Sequence, residues 1–240
     1  MSNLPVPKDE TLSSLLGWVY ALARTVVSEY LTRSYRPTEM PRSADDLCNV
    51  IKERCSSDLD LQISFQLLPE SPKLKDAVVF GILIRSNSDA KIYINPHVSN
   101  DAKRLVIVKE CFQAMLDSQV SDQRNIHRAL GHTWHRAKHR AESPDAFSSV
   151  GEHLAEIAAM EALFPYAFRL ECKRLEVEAK TDPSTIIHRA SKRFAIPPDW
   201  VRFYLQDEIM ELLAPYAEQD PGHTKTEKRP KKSMRRPSKA

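Results

Sequence analysis

The feature that most constrains this chain is a change in its hydrophobic period. From Thr11 to about Thr32 apolar residues recur at Leu12, Leu15, Leu16, Val19, Ala23, Val26 and Tyr30, the i, i+3, i+4 spacing of an amphipathic helix that should cover a core. Between Leu61 and Asn95 the period falls to two. Leu61, Ile63, Phe65 and Leu67 alternate, Val78 to Ile84 is an apolar run, and Lys91 to Asn95 reads IYI before Asn95-Pro96. Helical spacing returns from Ser99 to about Ser118, with Leu105, Val108, Phe112 and Leu116 on one side. Helices on both sides of a short block of strands predict an α+β fold.

Local signals sharpen the boundaries. Ser43 followed by Asp45 and Asp46 predicts an N-cap and an acidic first turn, with the helix ending near Cys55. Ser86-Asn87-Ser88-Asp89 is turn chemistry between two extended segments, so a hairpin and a small, mostly antiparallel sheet are expected. Asn100-Asp101 opens the next helix. An Ala-rich helix is expected from Ser148 to Leu163, stopped by Pro165, and further helices over Tyr166 to Ala179 and Pro183 to Phe194. Pro197-Pro198-Asp199 restarts one at Trp200. The expected organisation is an N-terminal helix (1–42), an α+β domain (43–165), a helical extension packed on it (166–218) and a basic tail (219–240).

Composition enters mainly by exclusion. The chain holds only five glycines and no GxGxxG or GxxxxGK[ST] string, which argues against nucleotide-binding loops. Cys48, Cys55, Cys111 and Cys172 form no CxxC pair, so a reduced, cytoplasmic protein is expected. The apolar run Leu15 to Ala23 is too short to span a bilayer and follows Asp9 and Glu10, so neither an export signal nor a membrane anchor is expected. Residues 221 to 240 carry eight Lys/Arg against Glu227 alone, a net of +7, which leaves −4 for the rest of a chain whose total is +3. This tail is expected to be disordered. Its Lys228, Arg229, Lys231, Lys232, Arg235 and Arg236 offer a nucleic-acid contact by counterion release.

The succession FGILIRS, short turn, KIYINP, RLVIVKECFQ, linker, EHLAEIAAMEALFP resembles the ImmA/IrrE family of zincin-type metallopeptidases over roughly residues 45 to 205. In that family a hairpin ending in an INP-like turn leads to a helix with an HExxH motif, and a second helix supplies a glutamate. Two histidines one turn apart bind zinc, the glutamate beside the first is the general base, and the carboxylate completes the site. The resemblance implies a zincin-like α+β fold with active-site-type helices packed on the sheet. It puts Lys109 at the first histidine position, Glu110 at the general base, Gln113 at the second histidine, Glu152 at the metal carboxylate and Glu156 where an acid would support a ligand. Phe112 replaces the expected glycine, a ring that would fill space a substrate needs.

Lysine when charged has no acceptor and glutamine offers one weak carbonyl oxygen, so Lys109, Gln113 and Glu152 make a poor zinc site. An ammonium at Lys109 could instead lie between Glu110 and Glu152 and neutralise them. The resulting expectation is a non-catalytic regulatory protein without cofactor, acting on a protein partner such as a transcriptional regulator. The enzymatic alternative is a zinc endopeptidase that recruits Glu152 and a linker histidine such as His132 or His135. A third reading is nucleic-acid binding through the tail. His127, His132, His135 and His139 could together hold zinc or nickel if helical, but Arg128, Arg136, Lys138 and Arg140 among them repel a cation, and an exposed basic linker accounts for them equally. Ser184 to Leu205 can be read as helix-turn-helix or as packing built on Trp200, Phe203 and Tyr204.

Overall fold

The computed structural model describes residues 11–34, 40–68, 73–74, 77–78, 80–117 and 150–217. The basic tail, the histidine-rich linker and the start of the Ala-rich helix at Ser148 lie outside these residues.

Helix α1 (Leu12–Arg33) begins at Thr11, whose hydroxyl accepts from the Ser14 amide while the Ser14 hydroxyl accepts from the Thr11 amide. Two orphan amides of the first turn are thereby satisfied. This helix does more than cover a core. Leu15, Leu16, Trp18, Val19, Tyr20, Leu22, Ala23, Val26 and Tyr30 are all buried, because α2 (Ala44–Leu59), α4 (Val150–Leu163) and α8 (Asp207–Ala217) pack around it. Ser43 caps α2, its hydroxyl accepting from the Asp46 amide. The helix runs past Cys55 to Leu59, where Asp60 turns into the left-handed region at φ 51° and the Leu61 amide returns to the Cys55 carbonyl. No Gly or Pro marks that end, and local hydrogen bonding alone sets it.

Strand β1 (Gln62–Leu67) is followed by the short pair β2 (Lys73–Leu74) and β3 (Ala77–Val78), then by β4 (Gly81–Arg85) and β5 (Asp89–Ile94). β4 and β5 form the expected hairpin, with Leu83 opposite Ile92. The main sheet has the order β1-β5-β4, however, and β1 runs parallel to β5, with Phe65 opposite Ile92. The expectation of a mostly antiparallel sheet is therefore corrected to a mixed one. Alternation in sequence fixes which residues face inward but not strand direction, and the tight hairpin claims one edge of β5, leaving β1 the other.

One face of the sheet, with Ala90, Ile92 and Ile94 fully buried or nearly so, packs against α2 and α3 (Asn100–Leu116). α3 is capped by Ser99, whose hydroxyl accepts from the Ala102 amide, and its other side packs against α4. Helices α5 (Tyr166–Val177), α6 (Pro183–Phe194), α7 (Pro198–Tyr204) and α8 follow in sequence and complete the core with Phe164, Ile186, Phe194, Val201, Tyr204 and Ile209. Arg104 on α3 ties this part to the domain, donating to the Phe194, Ala195 and Arg42 carbonyls. Arg42 in turn donates to the Ala162 carbonyl near the end of α4. Among the described residues no helix is long and apolar enough to cross a membrane.

Candidate functional site

α3 lies between the sheet and α4, so residues on its flank can meet both. Gly81 permits the close approach of β4. A Cβ there would sit 2.6 Å from Val106 Cγ1 and 3.7 Å from Glu110 Cγ, so a side chain is excluded by α3 itself. Glu110 is consequently buried, its side chain 5% exposed.

Lys109 and Glu110 on α3 and Glu152 on α4 come together. Lys109 Nζ donates to Glu152 Oε1 at 2.8 Å and to Glu110 Oε1 at 3.1 Å. Burial would lower the Lys109 pKa, but the Glu110 and Glu152 carboxylates outweigh it and hold the ammonium above its ordinary range. Burial raises the Glu110 carboxyl, and Lys109 only partly opposes that rise. The result is a compact ion triad with its cation supplied by the chain, worth most where water is excluded at Glu110 and least at the more exposed Glu152.

The other expected site residues are placed differently. Gln113 hydrogen-bonds the Asp117 carboxylate one turn on. Glu156 is buried and receives the Tyr204 hydroxyl at 3.4 Å, so it supports α7 as well as adding negative potential at Lys109. Phe112 is fully buried as a core residue, and packing accounts for its ring. The residues Lys228, Arg229, Lys231, Lys232, Arg235 and Arg236, like the linker histidines, lie outside the described residues.

No protein-family model and no curated protein matches the chain.

The donor set does not fit a zinc ion. Lys109 Nζ is a donor held within ion-pair distance of two carboxylates, and Gln113 is engaged with Asp117. Among the described residues no group of three or more His, Cys, Asp or Glu side chains is arranged to hold a metal ion.

Behind the triad runs a second polar assembly that the sequence does not announce. Arg169, fully buried, donates to Glu161 Oε2 at 2.6 Å and to the Tyr20 hydroxyl at 3.3 Å, and its guanidinium lies 5.4 Å from the ring centres of both Tyr166 and Tyr204. Glu161 also accepts from the Tyr166 amide at the start of α5. His153, buried beside Glu152 in sequence, belongs to the same helix. In the sequence these residues sit among apolar neighbours and read as core, and only the burial of their polar atoms separates them from it.

Proposed function

We propose that this chain is a catalytically silent zincin-like domain of the ImmA/IrrE type that works in the cytoplasm by binding a protein partner, in transcriptional or stress control. The observation that carries this reading is the Lys109 ammonium between Glu110 and Glu152. At the positions that the resemblance gives to a zinc ligand, the general base and the metal carboxylate, it pairs with both acids and supplies one positive charge from the chain itself. A general base so paired cannot readily take a proton from water, and a charged lysine at a ligand position has no lone pair to offer a metal ion. What remains usable is the surface around the triad, where the partly exposed Glu152 would meet a partner.

Elemental analysis of chelator-free full-length protein, together with a peptidase assay on an unfolded protein substrate, tests the reading. Zinc far below one per chain and no cleavage are expected. A stoichiometric zinc that disappears in Glu152→Gln, accompanied by cleavage, would overturn it in favour of an endopeptidase with unusual ligands.

A further inference from the structure

Some cations of the described residues stand in ion pairs and others, such as the exposed Lys91 and Lys180, stand in none. Arg33 meets Glu53, Arg54 meets Glu29 and Asp58, Lys173 meets Glu176 and Asp207, Arg174 meets Glu178, and Arg202 meets Asp199. Helix α6 differs in gathering its cations on one element. It carries His188, Arg189, Lys192 and Arg193 and no acid along its length. Its apolar residues Ile186, Ala190 and Phe194 are buried, and the exposed ones are Pro183, Ser184 and those four basic residues.

Helical spacing sets His188, Arg189 and Lys192 side by side on the outward face, at i, i+3 and i, i+4 separations of about 5–6 Å. Arg193 lies over the Phe168 and Phe194 rings at 4.8 and 5.4 Å and shares the neighbourhood of Cys172 with Glu171, so its charge is partly met. Arg189 and Lys192 stand in no ion pair or hydrogen bond among the described residues.

The geometry points to the outward face of α6 as a docking stripe for the phosphate backbone of a nucleic acid, with Arg189 and Lys192 as its principal contacts. The partner class follows from what the face contains. It offers no exposed aromatic or aliphatic side chain of the kind that anchors protein interfaces. The helix has spent its apolar side on the core, so it cannot lie in a bilayer surface. A second, independent block of cations is present in the chain, the net +7 of residues 221–240, and two separate cationic elements suit a long, regular polyanion whose counterions are released on binding. The following helix, α7, exposes Asp199 and Arg202 bound to each other, so the contact positions the nucleic acid without specifying sequence.

The experiment measures binding of the full chain to a random-sequence DNA duplex by fluorescence anisotropy across a salt series. It compares the natural chain, Arg189→Gln/Lys192→Gln, a control Arg33→Gln/Arg174→Gln and the deletion of residues 221–240, alone and combined with the first pair. Each lost phosphate contact should reduce the slope of log K against log salt by about 1, so the α6 pair should lower it by about 2 whether or not the tail is present. The control pair, likewise exposed but already ion-paired, should leave it unchanged. The inference is overturned if the duplex does not bind at low salt, if the α6 pair leaves the slope unchanged in both backgrounds, or if the control pair lowers it equally. It is also overturned if poly-glutamate binds as tightly as the duplex, which would make the partner an acidic protein. A zinc-loaded, active protein would sink the proposed function and leave this result standing.

Discussion

Lys109 joins two helices whose partners are 43 residues apart in the chain, its ammonium 2.8 Å from Glu152 Oε1. The pair lies between the two limits known for ion pairs, because Lys109 is 16% exposed and Glu152 37%. A double-mutant cycle with Lys109→Met and Glu152→Gln should give a coupling of about 1–2 kcal/mol, above the 0–1 kcal/mol of surface pairs and below the buried limit. Urea unfolding of the four proteins measures it, and coupling near zero would mean that the contact contributes nothing to the fold.

The same lysine gives a pH signature. In Lys109→Met the buried Glu110 loses its counter-charge, so its carboxyl, already raised by burial, rises further. A carboxyl whose folded pKa exceeds its unfolded one favours folding while protonated and loses that contribution as pH rises through the folded value. The stability deficit of Lys109→Met should therefore be small near pH 4 and grow toward pH 8. A deficit independent of pH would show that Glu110 remains neutral or finds another cation.

Gly81→Ala should destabilise by about 1–3 kcal/mol through overpacking, since its Cβ would stand 2.6 Å from Val106 Cγ1. Val106→Ala removes the obstructing methyl groups, so the double variant should cost less than the sum of the two. Strict additivity in thermal unfolding would contradict the close approach of β4 to α3.

Alkaline pH should loosen the Arg169 assembly. The Tyr20 hydroxyl is pushed up to about 12 by burial, with Arg169 opposing the rise. Between the ordinary tyrosine value near 10 and that point the unfolded chain releases a proton that the folded chain keeps, so stability falls by about 1.4 kcal/mol per pH unit from this group. The contribution is intact below pH 10. Tyr20→Phe should flatten the decline, as followed by denaturant midpoints between pH 9 and 12, and an unchanged slope would refute this assignment.

Arg104→Met should cost about 2–4 kcal/mol, because it strips a charged donor from the carbonyls of Phe194, Ala195 and Arg42. Burial lowers this guanidinium only to about 10, so it is charged at neutral pH. Arg104→Lys should recover less than half of the loss, since one ammonium cannot face carbonyls that the planar fork reaches separately. Full recovery would show that charge alone matters there.

What the sequence discloses about this fold follows from the range of the interactions involved. The starts of α2 and α3 are legible because Ser43 and Ser99 bond amides three residues away, and that of α6 because Asp182 accepts from the Thr185 amide and Pro183 suits the first helical position. The direction of β1 is not, since its register with β5 depends on pairing across the β4–β5 hairpin. The burial of α1 on nearly every side depends on α8, almost the whole described chain away. At the site, Lys109, Glu110 and Glu152 could be named from the resemblance, which pairs their two helices. Tyr204 and Arg169 could not, because an aromatic ring and an arginine stem in an apolar stretch look the same in sequence whether or not their polar ends are buried.

The seam between α1 and α8 has a consequence for the order of events during synthesis. Gly17 faces Tyr216, the Tyr20 and Tyr216 rings lie 6.5 Å apart, and Arg24 donates to the Ala217 carbonyl across 193 residues. A ribosome will therefore have released nearly all of the described chain before α1 can meet its final neighbour. Until then the side of α1 that carries Gly17, Tyr20 and Arg24 lacks its cover from α8. A stop anywhere before residue 207 would leave a nascent protein with its first helix made and one side of it permanently wet.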